Sequence, residues 1–360
     1  MKENCFNLHI QPSTIFQKLL PMNLKELAKA LNLSISTVSK AMRDSYEISE
    51  ATKKTVKDKA SELNYQANPF ASSLRKQKSK TIALVIPEIA NNYFTLAING
   101  VESIAQEKGY HVLIYLTHED KIKESEIVKI LQNGRVDGIM MSTTCNPNEA
   151  KHLEELMQKE IPLVLFDRVV DQIMTPKITT DDYNSGLNAT EHLIKQGCKR
   201  IAYVSISPDL SICTKRMNGY QDALKKFEQK GTNNLIIQCS NDDNFNRNQL
   251  KKLLVRKMRP DGVFASVEKL AIATYEVCNE LGLRIPEDVK VISFSNLQTA
   301  ALLNPSLTTI TQPAFEMGRE AASILFRLIE KKGSNFILDK TVLKSTLVER
   351  NSTRIMNYEL

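Results

Sequence analysis

The sequence predicts an α/β protein with a small helical head near its N-terminal end, on three observations. Positive charge gathers in one short segment: residues 21–80 hold twelve Lys and Arg against six Asp and Glu, whereas residues 81–360 hold thirty-four of each. From Thr81 onward, short apolar runs alternate with helically spaced apolar residues, the pattern of parallel sheets covered by helices. With 360 residues, 42% hydrophobic and 25% charged, the chain can bury a sizeable core and divide into two or three domains. No apolar run approaches the roughly 18–20 residues needed to cross a bilayer. The N-terminal stretch also lacks a signal peptide's continuous apolar segment and small-residue cleavage site, so a cytoplasmic protein with no membrane partner is expected.

Residues 1–21 are polar with little periodicity and read as a tail or an alternative start. Leu24, Leu27, Ala28 and Leu31 then fall at i, i+3, i+4 and i+7, and Asn23 with Glu26 makes a capping-box start. After the break at Asn32-Leu33, Ser34 can cap a second helix. Its apolar stripe would be Ile35, Val38, Ala41 and Met42, leaving Ser36, Thr37, Ser39 and Lys40 outward. Ser49 caps a third helix carrying Val56, Ala60 and Leu63, with Lys53, Lys54, Lys57 and Lys59 as a basic face. Small polar side chains at a helix N-terminus suit entry into a major groove, where they reach base edges while the helix amides face phosphates. Clustered cations supply the non-specific part of nucleic-acid affinity. A plain three-helix bundle with solvated lysines is the competing reading. Next, Pro69 opens a pattern that ends at Lys76, about two turns and too short to hold alone. Leu74 stands there amid Arg75, Lys76, Lys78 and Lys80. It is either an apolar wedge for a minor groove or part of an ordinary linker.

The runs Leu24-Lys-Glu-Leu-Ala, Leu33-Ser-Ile-Ser-Thr-Val-Ser-Lys40, Ile48-Ser-Glu-Ala-Thr52, Leu63-Asn-Tyr65 and Asn68-Pro-Phe-Ala-Ser-Ser-Leu74 resemble the LacI/GalR transcription regulators. The resemblance extends from about Met22 to Glu349. It implies a helix-turn-helix DNA-binding domain over 22–66 and a hinge helix and linker over 67–80. A ligand-sensing, dimerising, periplasmic-binding-protein-like core would follow over 81–349, with 350–360 as a tail. By position, Ile35, Ser36 and Lys40 correspond to the family's base-reading residues and Leu74 to its minor-groove leucine. The DNA-facing set is Ser34, Ile35, Ser36, Thr37, Ser39 and Lys40, joined by Asn68, Ser72 and Leu74 of the hinge. Asn32 stands where the family usually has Gly in the turn, and Asn also tolerates left-handed backbone.

In the core, strand patterns recur at Ile82–Ile86, Val112–Leu116, Gly138–Met141, Leu163–Phe166, Ile201–Val204, Leu235–Ile237, Gly262–Phe264 and Val289–Ile292. Gly109, Gly134, Gly197, Gly231 and Gly282 mark helix ends between them. So many strands exceed one sheet, and two doubly wound subdomains are expected, with ligands in the crevice at the strand C-terminal edges. The family's three crossovers are placed near Thr179, Ser295 and Thr309. The subdomains then cover about 81–178 plus 310–335, and 179–309 plus 336–349. The helix Ala314–Lys332 returns to the first, and the strand Thr341–Val348 belongs to the second.

No phosphate-binding Gly-rich loop, His-Glu-x-x-His or Gly-x-Ser-x-Gly motif is present, so no catalytic residue and no enzyme is expected. The six cysteines and five histidines are scattered without a Cys-x-x-Cys pair, so neither a metal site nor a cofactor is expected. Candidate effector contacts sit at strand ends. By the resemblance, Tyr93 and Phe94 occupy ligand-stacking positions, although Phe94 can equally be the first core residue of its helix. Asp167 can accept from ligand hydroxyls or pair with Arg168, and Arg216 matches the family's ligand-reading arginine. Two positions depart from the family pattern: Val267-Glu268 replaces Asn-Asp, and Ser295-Asn296 replaces Asp-Asp or Asp-Asn. Glu268 and Ser295 therefore join the candidates. The loss of an amide and a carboxylate, with Arg168, Lys215 and Arg216 nearby, favours an anionic ligand such as a phosphorylated sugar.

The expectation is thus a LacI-type transcription regulator of the repressor kind. It would be a homodimer on near-palindromic operator DNA, controlled by a small-molecule effector derived from carbohydrate, a sugar or sugar phosphate. A solute-binding protein without DNA function, or a regulator controlled by a protein partner, are the alternatives.

Overall fold

A computed structural model describes residues 22–65, 79–207, 210–227, 235–330 and 340–354. The expectations for residues 1–21 and for Asn68, Ser72 and Leu74 of the hinge fall outside the described residues. Two compact units divide after Gln77.

In the first unit, α1 (Leu24–Ala30) starts at the expected capping box. Ser34 and Ser49 cap α2 (Ile35–Met42) and α3 (Glu50–Glu62) by accepting from Thr37 N and Thr52 N. Leu27, Ala28, Val38, Ala41, Val56 and Ala60 form the buried core of this bundle. Asn32 takes φ 53° in the turn between α1 and α2, the left-handed backbone that its short polar side chain tolerates. Two expectations are corrected in this unit. Ile35 is not part of the buried stripe: it begins α2 and is 47% exposed. Lys53 does not belong to the outward basic face. It is buried among the helices, with its ammonium 2.7 Å from Glu50 and 3.7 Å from Asp44.

The second unit holds two six-stranded sheets. The first runs β11-β5-β4-β3-β1-β2, all parallel, from β1 (Thr81–Ile86), β2 (His111–Leu116), β3 (Gly138–Met141), β4 (Leu163–Phe166), β5 (Lys177–Thr180) and β11 (Lys340–Leu343). The second runs β12-β10-β9-β8-β6-β7, from β6 (Ile201–Ser205), β7 (Leu235–Gln238), β8 (Gly262–Ala265), β9 (Lys290–Phe294), β10 (Thr308–Thr311) and β12 (Thr346–Val348). Only β12 is antiparallel to its neighbour. The central strands β3, β4, β6, β8 and β9 are buried along their whole length, as their unbroken apolar runs require when helices cover both faces. On the first sheet, α4 (Asn92–Glu107) and α11 (Ala314–Glu330) pack one face, and α5 (Lys121–Leu131) and α6 (Lys151–Gln158) the other. The second is covered by α7 (Asp182–Lys195) and α8 (Ser211–Lys226) on one side, and by α9 (Asp243–Leu254) and α10 (Glu268–Glu280) on the other.

Three boundaries differ from expectation. Ser295 is not a crossover: the chain turns through Gln298–Leu302 and comes back as β10, parallel to β9 in the same sheet. The expected single strand Thr341–Val348 is two strands, with Lys340–Leu343 pairing to β5 in the first sheet and Thr346–Val348 to β10 in the second. The crossovers therefore follow β5, follow β10 and separate β11 from β12. Residues 350–354, expected to belong to a tail, are built into the second subdomain. Ser352 and Thr353 are fully buried, with Ser352 Oγ accepting from Thr308 N at 2.8 Å and donating to Val291 O at 2.6 Å.

Candidate functional site

The N-terminal unit presents α2 outward. Val38 and Ala41 anchor it to the bundle, which turns Ile35 and Ser36 to solvent. Thr37 is tied to the cap, its Oγ1 lying 2.8 Å from Ser34 Oγ. Ser39 is half-buried and its carbonyl accepts from Arg43 Nε at 2.9 Å. Lys40 stands on the same helix, 39% exposed at its side chain and paired with Glu47. A helix held from behind, with short polar groups and one cation forward, has the form needed to enter a major groove.

The second candidate region is a cavity of about 40 Å³ between the two subdomains. All seven expected effector residues line it: Tyr93, Phe94, Asp167, Arg168, Arg216, Glu268 and Ser295. Asn91, Ile212, Phe294 and Gln312 also line it and were missed. Phe294 ends β9 and Gln312 directly follows β10, a strand that the apolar patterns did not include.

Arg216 owes its position to the pairing of α7 and α8. A Cβ on Gly186 would lie 2.4 Å from Arg216 O, and one on Gly219 would lie 2.2 Å from Tyr183 O. Only glycine lets these backbones approach so closely. Arg216 is fully buried, with Nε 2.7 Å from Asp182 Oδ1, Nη1 donating to Ser266 O at 2.7 Å and its guanidinium 3.6 Å above the Phe294 ring. Arg168, also buried, pairs with Glu119 at 2.5 Å. Its Nε lies 3.9 Å from Asp167 and is a buried donor without a hydrogen-bond partner. The closer carboxylate, then, is Glu119. Asp167 follows β4 at φ 60°, and its Oδ2 accepts from Ser142 Oγ at 3.0 Å. Burial pushes its carboxyl up to about 6, against the pull of the Arg168 and Arg216 charges. Phe94 lies in the core of the first subdomain and also at the cavity wall. Tyr93 stacks edge-on against it, centroids 5.2 Å apart, and donates to Met317 Sδ at 3.2 Å.

Hydrogen bonds join the two subdomains at the cleft, among them Gln312 Nε2 donating to Thr180 Oγ1 at 3.1 Å. Asn92 Nδ2, at the start of α4, donates to Glu268 Oε1 at 2.7 Å, and Val169 N donates to Ser211 Oγ at 3.3 Å. Ser295 Oγ donates to the other oxygen of Glu268 at 2.6 Å. Glu268 thus keeps a carboxylate at the second position of the Val267-Glu268 pair, and the departure at Val267 removes only an amide. Lys215 is not among the lining residues, which leaves Arg168 and Arg216 as the cavity's cations, each already facing a carboxylate. A wider hollow of about 600 Å³ shares Arg168 and Glu268 and is lined by Glu88, Glu119, Asp243 and Glu276 together with the cations Arg247 and Lys269.

Both units of the chain have matches among known proteins. Residues 23–68 match the family described as bacterial regulatory proteins, lacI family, and residues 190–353 match a periplasmic binding protein-like domain. The HTH-type transcriptional repressor PurR of Aliivibrio salmonicida is 30% identical over 310 residues, covering 86% of this chain and 92% of that protein. A periplasmic binding protein/LacI transcriptional regulator from Alkaliphilus metalliredigens, solved with D-xylulofuranose, is 27% identical. It superimposes with TM-score 0.66 over 77% of this chain and 100% of its own. The lac repressor dimer bound to operator shares the fold, with TM-score 0.82 at 20% identity over 93% of this chain and 99% of that one. Among the described residues, no helix is long and apolar enough to cross a membrane. The chain belongs to the LacI family of bacterial regulatory proteins and is a DNA-binding transcriptional regulator.

Proposed function

We propose that this regulator is a repressor that works as a homodimer on a near-palindromic operator and answers a neutral, polyhydroxylated sugar instead of a sugar phosphate. The observation that carries the choice of effector is the charge arrangement of the cleft. Arg216 is committed to Asp182 and Arg168 to Glu119, while Asp167 and Glu268 add two more carboxylates. A phosphate would have to displace a buried carboxylate from its arginine, leaving that carboxylate uncompensated. Hydroxyls suit the site better. Asp167 and Glu268 can accept from them, the unpartnered Nε of Arg168 can donate, and Phe94 lines the wall against which a ring would lie. The bound pentulose of the Alkaliphilus metalliredigens regulator is a ligand of this class.

About 40 Å³ holds a few water molecules and no sugar. Entry of an effector into this inner cavity therefore separates the subdomains and breaks the Asn92–Glu268 contact. A ligand that favours one subdomain angle shifts the equilibrium by its differential affinity, typically about 1–3 kcal/mol of coupling. Pairing of two chains is supported by the lac repressor dimer and by the apolar Leu113 and Ile114, which β2 leaves exposed at the edge of the first sheet. Thermal unfolding of the full chain with neutral pentoses and hexoses, and with their phosphate esters, tests the effector class. Stabilisation by a neutral sugar is expected. Stabilisation by phosphate esters alone would overturn the proposal.

A further inference from the structure

Outside the cleft, the fold gathers three side chains that the sequence keeps apart. Glu124 comes from α5, Cys145 from the loop after β3, and His152 from α6, and all three are buried. Their ligand atoms converge: His152 Nε2 to Glu124 Oε1 is 2.9 Å, Cys145 Sγ to the same oxygen 3.1 Å, and Sγ to Nε2 3.7 Å. From these contacts we propose that Glu124, Cys145 and His152 form a binding site for a divalent transition-metal ion of the zinc class.

Three observations lead there. The first is crowding around the carboxylate. Thr143 Oγ1, Cys145 Sγ and His152 Nε2 all point at Oε1, while Thr144 N and Thr144 Oγ1 both donate to Oε2. Five donors exceed the roughly four lone-pair sites that a carboxylate offers. Replacing two of them with one cation removes the excess. The second is spacing. Ligands at about 2.0–2.3 Å from a tetrahedral ion lie roughly 3.3–3.6 Å from one another, so shifts of a few tenths of an ångström convert the present triangle into three corners of such a site. The third is donor chemistry: one sulfur, one imidazole nitrogen and one carboxylate oxygen suit Zn²⁺ or Co²⁺ and not Mg²⁺ or Ca²⁺. On binding, the Cys145 proton leaves to solvent and His152 turns its Nε2 lone pair to the ion, keeping its own proton on Nδ1. A water completes the fourth position.

The site would also reach the effector cleft through one short loop. Ser142 holds Asp167, and Thr143 N donates to Arg168 O at 3.2 Å. An ion fixed by Cys145 and Glu124 would therefore stiffen the loop to which both cleft residues are hydrogen-bonded.

The test uses full-length protein stripped of metal with a chelator and titrated with Co²⁺. The expected result is a thiolate-to-cobalt charge-transfer band with tetrahedral d–d absorption, saturating near one ion per chain and displaced by Zn²⁺. Cys145→Ser keeps a hydroxyl donor for Glu124 and should abolish the charge-transfer band. His152→Gln should weaken Co²⁺ affinity by more than about tenfold, since even outer-shell losses cost about 10–100-fold. Cys278→Ser, at another buried thiol, should change neither. Absence of the band in the wild type, or a band that survives Cys145→Ser, would overturn the proposal and leave the cluster as a hydrogen-bonded anchor.

Discussion

The N-terminal helices and the effector cleft use the same chemistry, cation against carboxylate, to opposite ends. On the helices, buried Lys53 apart, two pairs are exposed. Lys40 with Glu47 and Lys57 with Asp44 keep between 39% and 66% of their side-chain surface, and such pairs are worth at most about 1 kcal/mol. They can be exchanged for phosphates at little cost. In the cleft, Arg216 and Asp182 keep 2% and 1%. A buried pair cannot be opened without leaving a charge stranded, at about 3–5 kcal/mol. Exposed cations are thus available to an anionic partner, whereas buried ones hold the site together.

The largest expected effect breaks the buried side of this contrast. Arg216→Ala strands Asp182 and should cost about 3–5 kcal/mol of core stability, read by urea denaturation, with loss of effector response. A loss under about 1 kcal/mol, the range of an exposed pair, would show that the pair is not structural. Next comes pH. Asp167 is lifted to about 6 from its usual 3.8, so the folded state holds a proton that the unfolded state has released. Stability should therefore fall as pH rises between about 4 and 6, by roughly 2–3 kcal/mol, and Asp167→Asn should flatten that part of the curve. Glu124 acts with the opposite sign. Its hydrogen bonds, His152's foremost, outweigh burial and hold it at about 2, so its contribution is lost as pH drops below about 4.5 towards 2.

Gly186→Ala tests how Arg216 is placed. With backbone 2.4 Å from the added carbon, α7 and α8 must part, and overpacking of this kind costs about 1–3 kcal/mol. Effector affinity should fall as well. On the exposed side, Lys40→Ala should weaken operator binding by about 1–3 kcal/mol if Lys40 reads a base, while stability stays within about 0.5 kcal/mol. Glu47→Gln is the mildest change. It frees Lys40 and removes a negative charge, so a gel shift should show slightly tighter binding, and weaker binding would sink the exchange idea.

These two regions also differ in how far sequence alone reveals them. The outward face of α2 repeats every turn within eight residues, so caps and spacing disclosed it, Ile35 excepted: an apolar residue on a first turn carries no sign of which side it will face. Among the cleft residues, Asp167 is visible as a polar residue after an apolar strand run, whereas Tyr93, Phe94, Arg216, Glu268 and Ser295 were reached through the resemblance to the LacI/GalR regulators. Which sheet a strand joins is not visible. Ser295 looks like a strand end leaving the sheet, yet β10 returns beside β9, and Lys340–Leu343 parts from Thr346–Val348 to join the other sheet. Pairing partners far along the chain decide this. Glu124, Cys145 and His152 were hidden for the same reason, since three separate elements supply them.

The contrast between exchangeable and committed cations can be measured in one experiment, by titrating the full chain with operator DNA and, separately, with the sugar that most raises its thermal midpoint, across a series of salt concentrations. Operator affinity should fall steeply and linearly with the logarithm of salt, because each phosphate contact releases counterions. Effector affinity should stay flat. An effector affinity that also declines with salt would mean that Arg168 and Arg216 are free to meet an anionic ligand, in contradiction of their commitment to Glu119 and Asp182.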